Sequence, residues 1–166
     1  MLQFNWWLLP LTALIPLIVG HFWYGQFFKK QWLNYAEISE ERAQSIKLIK
    51  VLALSYVFSL LISYVVIVYS VHQVAIYQIF LFDPATQDVT SSISRSISDF
   101  IANYGTRHRT FGHGVIHGME LGLFISLPLI GMHTLFENKS FKYALIHIGF
   151  WIVSCALIGG MMCQFL

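Results

Sequence analysis

The sequence predicts an all-α integral membrane protein, an antiparallel bundle of four transmembrane helices that forms a single domain over residues 1–166. Hydrophobic residues make up 57% of the chain and charged residues only 11%, whereas soluble domains carry roughly 25% charged residues. The mean hydropathy is +0.64. The apolar residues gather into four stretches, each close to the roughly 20 residues that a helix needs to cross a bilayer. These spans are predicted at about residues 6–27, 48–72, 113–136 and 142–165.

The first span is bounded by aromatic residues, which favour the two interfaces of a membrane. Trp6 and Trp7 stand at its start, and Trp23 stands near its end. Pro10 and Pro16 lie inside the span, and each removes a backbone donor. We therefore expect a kink here, or a packed partner that satisfies the freed carbonyl groups.

The second span is predicted to belong to one long helix from about residue 40 to about residue 81. Ser39 precedes acidic residues and is typical of a helix N-cap. No proline or glycine then interrupts the chain before Pro84. Such a helix would be roughly 60 Å long, about twice the hydrocarbon thickness, and would protrude at both ends.

The connection over residues 83–111 contains a predicted amphipathic helix at about residues 87–104, with Gly105 as its stop. Its apolar residues recur at spacings of three and four: Val89, Ile93, Ile97, Phe100, Ile101 and Tyr104. The helix could lie in the headgroup plane or cap the bundle. Its weakly basic polar face favours capping.

Small residues line the third and fourth spans. Gly114, Gly118 and Gly122 recur at every fourth position, and Gly159 and Gly160 occupy the last span. Such residues let helix backbones approach closely in a membrane. Only a short turn at residues 137–140 separates the two spans, so we expect them to be antiparallel neighbours.

Ionisable residues share one face of the third span. At about 100° per residue, His113, His117 and Glu120 project from the same side. In an antiparallel bundle His72, at the end of the second span, belongs at the same end, so these four residues form a candidate polar or metal site. A second histidine layer is predicted at the opposite end of the bundle, from His21, His133 and His147.

Four interpretations of these layers remain open. Two imidazoles and a carboxylate could hold Zn²⁺ or another first-row metal, although the glutamate that defines the HExxH motif is missing. Histidines on facing helices could ligate haem. Glu120 and its neighbours could form a proton or ion path. Near an interface, the same groups could simply pin helices together.

We expect the protein to be a non-catalytic accessory or packing subunit of a membrane assembly, with no required cofactor. The sequence shows no nucleophile–base pair, phosphate loop or recognised transport repeat. The alternative is an ion-conducting, proton-conducting, metal-binding or haem-binding protein that uses the face of His113, His117 and Glu120. Expected partners are membrane lipids and either another protein or a second copy of the chain. The net charge of +2 gives no reason to expect nucleic acid.

The orientation follows from the basic residues. Seven Lys and Arg residues lie in segments 29–50 and 139–142, and three lie in the 83–111 connection. The positive-inside rule then places both termini and the 83–111 connection outside, on the periplasmic face of a bacterial inner membrane.

Two segments resemble a family of small bacterial membrane proteins, the domain of unknown function 1761. They are GHFWYGQFFKKQW at residues 20–32 and the glycine-rich pair of spans at residues 111–151. His147 and Phe150 depart from an Asn and a Tyr in this family's motif. The second helix and the 83–111 connection are extended relative to the family. The resemblance implies four spans and assigns no activity.

Overall fold

The computed structural model describes residues 5–166, and that range contains helices and no strand. A π-helical turn at Trp23–Phe27 and a 3₁₀ turn at Pro84–Thr86 accompany nine α-helices within these residues. The α-helices are α1 Leu8–Thr12, α2 Ile15–Phe22, α3 Lys29–Ala36, α4 Glu40–Gln44, α5 Leu48–Ser70, α6 His72–Ile79, α7 Ser92–Tyr104, α8 Phe111–Phe136 and α9 Phe141–Phe165.

Four helical stretches are long and apolar enough to cross a membrane, which confirms the predicted number of candidate spans. Their limits lie within a few residues of those predicted from sequence. They are Leu8–Phe27, Leu48–Ser70, Phe111–Phe136 and Phe141–Phe165.

The first of these stretches is interrupted between α1 and α2, as its prolines predict. Pro16 has no N–H to donate to the chain behind it, and Leu14 donates to the Leu11 carbonyl instead of continuing the regular pattern. The Pro10 carbonyl is thereby left without an α-helical partner. The Tyr56 hydroxyl of α5 donates to it at 3.0 Å, so a neighbouring helix satisfies the group that the break frees.

The prediction of one continuous helix from residue 40 to residue 81 is wrong. Ser39 caps α4 as expected, by accepting from the Arg42 N–H at 3.2 Å. The helix nevertheless stops after Gln44 and again at Val71, whose φ of −105° and ψ of 87° lie outside helical values. Ser45 donates its hydroxyl to the Arg42 carbonyl at 2.8 Å, a local bond that competes with helix continuation.

The amphipathic helix starts later than predicted, at Ser92, because the Ser91 side chain caps it by accepting from the Ser94 N–H. Residues 87–91 are not helical, and the 3₁₀ turn at Pro84–Thr86, which Asp83 caps, precedes them.

No residue of α7 is buried, and Phe100 and Tyr104 remain about half exposed. The apolar residues Ile93, Ile97 and Ile101 are partly buried, and Ile97 and Ile101 line a cavity together with Tyr77 of α6. Whether α7 caps the bundle or lies in the headgroup plane stays a prediction.

The core lies between α5 and α9, together with the start of α6. Its most deeply buried apolar side chains are Val66, Ile67, Val71, Ile158 and Met162. The last span is buried over 56% of its most apolar stretch, whereas α5 is buried over only 22% of its own. The fourth span is therefore the helix around which the others pack.

The closest helix contact joins α8 to α9. A Cβ on Gly114 would overlap the Gly159 carbonyl, and a Cβ on Gly118 would overlap the Cys155 carbonyl. A Cβ on Gly122 would lie 2.8 Å from the Ile152 Cα. The contacted residue numbers on α9 decrease from Gly159 to Ile152 as the glycine numbers on α8 increase, so the two helices are antiparallel. Gly160 has a different neighbour, the Phe111 ring.

Candidate metal centre

Three histidines meet where α6 and α8 begin. The interruption at Val71 makes His72 the first residue of α6. Thr110 caps α8 by accepting from the His113 N–H at 3.3 Å, which fixes the first turn of that helix. His113 and His117 follow on one face of α8, one helical turn apart. Two chain breaks and one helical repeat thus bring the three imidazoles together.

The imidazoles are close enough to share one ion. His72, His113 and His117 each offer a ring nitrogen, and these nitrogens all lie within 4.8 Å of one another. The Nε2 atoms of His72 and His113 are 3.1 Å apart. Two nitrogens bound tetrahedrally to zinc lie about 3.3 Å apart, given bond lengths of about 2.0–2.1 Å. The nitrogens of His72 and His113 are therefore already close to the separation of two zinc ligands. The His117 nitrogen would have to move toward them by at most about 1.5 Å to reach the same separation.

Glu120 orients one of the three histidines. Its carboxylate oxygen lies 3.0 Å from the His117 Nδ1, at hydrogen-bond distance. If Nδ1–H donates to the carboxylate, Nε2 keeps its lone pair and is available to bind a metal. A carboxylate behind a histidine is the usual outer partner in histidine metal sites, because it fixes the tautomer and raises the basicity of the ring. Tyr69 approaches the same carboxylate oxygen, with its hydroxyl at 3.5 Å.

A loop from α7 to α8 covers one side of the cluster. His108 stacks on the His113 ring, with centroids 5.0 Å apart, and has a left-handed φ of 62°. The loop is tied down at two points: Gln73 donates to the Arg107 carbonyl at 2.9 Å, and the Cys163 thiol donates to the His108 carbonyl at 3.2 Å. His108 therefore flanks the three histidines from a position that the loop backbone holds.

The surroundings of His72 favour the neutral form of its imidazole. Partial desolvation lowers the pKa of His72 below its ordinary value, and the neighbouring His117 and His108 lower it further. Burial also lowers the pKa of the Arg109 guanidinium. A neutral imidazole is the form that binds metal, so His72 is held in its ligating state at neutral pH.

The second predicted histidine layer is only partly assembled. His21 and His147 line the same cavity, and the His147 Nδ1 lies 2.7 Å from the Tyr24 hydroxyl. His133 is exposed on α8 and makes no hydrogen bond or ring contact with either of them. The sequence placed all three near one end of the bundle, but it could not show which way each ring turns.

Sequence reasoning missed three residues that support the two histidine groups. Tyr69 lies one turn before His72, Gln73 directly follows it, and Tyr24 follows Trp23 at the aromatic end of the first span. The tyrosine spacing gave a weak signal, because Tyr69 and His72 share a helix face in any continuous helix. The Gln73 contact had no sequence signal, since it depends on the path of a distant loop.

One of the comparisons with known proteins identifies a family for the chain. A family model described as "Protein of unknown function (DUF1761)" matches residues 7–163. The chain belongs to this family. The match to DUF1761 includes nearly all of every candidate span and all of the histidines discussed above.

The resemblance in the two quoted segments is thereby confirmed over almost the whole chain. Neither the search of curated proteins nor the search of solved structures finds a match. The DUF1761 description names no activity, so a function for this chain has to be argued from the chemistry of its own residues.

Proposed function

We propose that this chain is a bacterial inner-membrane protein whose four spans form an antiparallel bundle and bind one first-row transition-metal ion at one end. His72, His113 and His117 are the ligands, and Glu120 supports His117 from behind. Imidazole nitrogens suit Zn²⁺, Cu²⁺, Ni²⁺ and Fe²⁺, and three of them with an open fourth position are typical of sites that keep a water or exchange ligands.

The proposal depends on one observation: imidazole nitrogens of three histidines, one from α6 and two from α8, lie within 4.8 Å of one another. A histidine that only pins two helices needs one partner. Here each of the three rings contacts both of the others, with centroids 4.5 to 5.1 Å apart. A carboxylate oxygen, from Glu120, lies 3.0 Å from the Nδ1 of one of these rings, as an outer partner of a histidine ligand would.

The exposure of the site suggests what the bound ion does. His72 is exposed, and a cavity of about 540 Å³ beside it is lined by Tyr104, Arg107 and His108. An ion held here can be reached from water without crossing the hydrocarbon. The site therefore suits a protein that captures or hands on a metal at the membrane surface, with the metal exchangeable rather than locked in.

The orientation proposed from the basic residues places this site on the periplasmic side. The histidine cluster lies at the end that carries the 83–111 connection, and most of the Lys and Arg residues lie in the segments at the other end. With this orientation, the chain would bind metal ions from the periplasm.

The experiment is a metal titration of the full-length protein in lipid nanodiscs after chelator treatment. Stoichiometric binding of one Zn²⁺ or Co²⁺ per chain, measured by elemental analysis and calorimetry, supports the proposal. His113→Ala should lose most of the affinity, while His133→Ala, which removes an exposed histidine from the same helix, should bind as the wild type does. Wild-type protein that binds no ion stoichiometrically, or equal affinities for the two variants, would refute it.

Haem is a weaker candidate than a bare ion at this site. The Nε2 atoms of His72 and His113 are at hydrogen-bond distance, 3.1 Å, and a macrocycle would have to separate the two rings. The ion-path alternative relies on Glu120, but α8 carries no further ionisable side chain between Glu120 and His133. A proton-flux assay in vesicles distinguishes this alternative, since a metal-binding protein need not change flux.

A packing subunit is the second candidate function, and one cleft favours it. Between α5 and α8 lies an almost wholly apolar space of about 240 Å³, lined by residues that include Ile62, Leu121 and Trp151. A helix of a partner or of a second copy could fill it. Co-purification of a stable partner, in the same amount with the wild type as with His117→Ala and Glu120→Ala, would favour this candidate over the metal site.

A further inference from the structure

A fourth imidazole, that of His108, lies beside the three proposed metal ligands. Its ring stacks on the His113 ring, with centroids 5.0 Å apart and an angle of 26° between the planes. Two imidazoles bound to one tetrahedral zinc ion have ring centres about 5 Å apart, given Zn–N bonds of about 2.0–2.1 Å. The His108 ring is therefore as close to His113 as a fellow ligand would be, but it is stacked on that ring and would have to turn to reach a shared ion.

The backbone of His108 is held in place, so the side chain is the part that can turn. The His108 carbonyl accepts from the Cys163 thiol at 3.2 Å and from the Thr110 N–H at 2.9 Å. Thr110 also caps α8, the helix that carries His113. These bonds keep the loop beside the start of α8, and rotation about the two side-chain bonds of His108 decides where its ring lies.

The ring nitrogens of His108 are free to bind a ligand. The side chain is exposed, and neither ring nitrogen forms a hydrogen bond with another residue in the range 5–166. His108 and His72 line the same cavity of about 540 Å³, which gives the ring space to leave its stack. The chain thus offers a further imidazole ligand next to a site that has three.

We propose that His108 is a fourth, displaceable ligand of the metal site. With an ion bound to the three helical histidines, the His108 ring leaves its stack on His113 and takes the fourth position. Zinc sites with four protein ligands are closed, whereas sites with three keep a position for water or another ligand. The inference rests on the proposed metal binding and adds how the ion is held and how it is released.

His108 is the ligand best placed to let the ion go, because it lies on a loop, whereas His72, His113 and His117 lie on helices. Release exchanges one bond between the metal and the His108 nitrogen for one bond to an incoming ligand, with no change of oxidation state. Arg107 lines the same cavity, and its positive charge favours an anionic incoming ligand.

The test uses the Co²⁺-loaded, full-length protein in phosphatidylcholine nanodiscs, with azide as the probe and the visible absorption of Co²⁺ as the readout. Azide binds cobalt at an open position and changes its absorption bands. His108→Asn removes the imidazole and keeps a residue type that tolerates the left-handed backbone at this position, where φ is 62°. This variant should still bind one Co²⁺ per chain. Azide should change its spectrum at concentrations at least about tenfold lower than the wild type requires, because the fourth position is no longer occupied by imidazole.

The matched control is His133→Asn, which makes the same change at an exposed histidine of α8 and should respond to azide as the wild type does. Equal azide responses of the wild type and His108→Asn would overturn the proposal. So would loss of stoichiometric Co²⁺ from folded His108→Asn, since a displaceable ligand is not required for binding. If His108→Asn fails to fold, ¹⁵N NMR of the histidine-labelled, Zn²⁺-loaded wild type replaces it. Four metal-bound imidazole nitrogens are then expected, and three would overturn the proposal.

This inference and the proposed function fail in different ways. If the wild type binds one Co²⁺, His113→Ala loses it and His108→Asn responds to azide as the wild type does, the metal site stands and only the role of His108 falls. Wild-type protein that binds no ion stoichiometrically refutes both.

Discussion

At the scale of single residues, the metal proposal depends on which proton each histidine carries. His117 can ligate through Nε2 when its proton is on Nδ1, and a hydrogen bond from Nδ1 to Glu120, suited to the 3.0 Å separation of these atoms, favours that tautomer. His72 is held neutral by partial desolvation and by the neighbouring imidazoles. The chemistry of the site therefore rests on hydrogen-bond partners as much as on the three ligands.

Replacing Glu120 by Gln should weaken metal binding by about 10–100-fold without changing the stoichiometry, because an outer partner is lost and no ligand is removed. Calorimetric titration with Zn²⁺ measures the change. Glu137→Gln provides the control, since that carboxylate lies just beyond the far end of α8 and pairs with Lys139. Wild-type affinity in Glu120→Gln would show that the carboxylate does not support the site.

The lowered pKa of His72 predicts how the stability of the metal-free protein changes with pH. An unperturbed histidine titrates near 6.5, and the folded chain binds this proton less readily than the unfolded chain does. Stability should therefore fall as the pH drops through about 6.5 and continue to fall until the folded pKa is passed. Thermal unfolding of chelator-treated protein from about pH 8 to about pH 5 measures the effect. His72→Gln should show a shallower decline, and identical pH profiles would contradict the assignment.

At the scale of elements, the antiparallel contact of α8 and α9 is the best-defined packing in the molecule. The glycines of α8 press directly on the backbone of α9, so there is no room for even one methyl group. Without a hydrophobic driving force in lipid, such close packing is a main source of helix association.

Replacing Gly118 by Ala should destabilise the folded protein by about 1–3 kcal/mol, because the new methyl group overlaps the Cys155 carbonyl and the helices have to separate. Gly112→Ala makes the same substitution on the same helix at a position with nothing within 4 Å, so little change is expected. Unfolding in detergent mixtures compares the two variants. Equal stability would mean that this helix contact is looser than described.

The sequence predicted the helices better than it predicted their interruptions. The prolines predicted the break in the first span, and the glycine spacing predicted the face by which α8 packs against α9. The break at Val71 had no proline or glycine to signal it, and the β-branched residues Val65–Val68 and Val71 disfavour a helix only slightly. Tertiary contacts decide it: Val71 is fully buried, and Gln73 bonds to a loop more than thirty residues away.

The same limit applies to the candidate sites. The shared face of His113 and His117 follows from helical periodicity alone, and antiparallel spans place His72 at their end. The roles of Tyr69, Gln73 and Tyr24 depend on distances between elements that are remote in sequence. Helical periodicity in the sequence can therefore predict candidate ligands, but it cannot identify the side chains that orient those ligands.

At the scale of the whole molecule, four spans require the connections to alternate between the two faces of the membrane. Single cysteines introduced as Glu41→Cys, Asp88→Cys and Asn138→Cys report on three connections, against a background in which Cys155 and Cys163 are buried. A membrane-impermeant maleimide should label Asp88→Cys from the periplasmic side and the other two only after permeabilisation. Labelling of Asp88→Cys and Asn138→Cys from the same side would contradict the four-span topology.

The two histidine groups give the molecule a polar end and an aromatic cavity near its opposite face. The histidine cluster lies beside a cavity that the α7–α8 loop helps to form, whereas His147 lines a partly open cavity between α2, α5 and α9. Both positions use residues that a simple hydrophobic bundle would not need. A protein of 166 residues can hold both because α9 packs against the other three candidate spans and keeps the two ends apart.

The most direct measurement is the X-ray absorption spectrum of the zinc-loaded, full-length protein in lipid. Three imidazole ligands predict a first shell of nitrogen and oxygen at about 2.0–2.1 Å, with the multiple scattering that histidine rings produce, and loss of that scattering in His113→Ala. A shell dominated by sulfur at about 2.3 Å would instead assign the ion to the cysteines, and a shell of oxygen without imidazole scattering would assign it to the surface. Either result would contradict the metal centre.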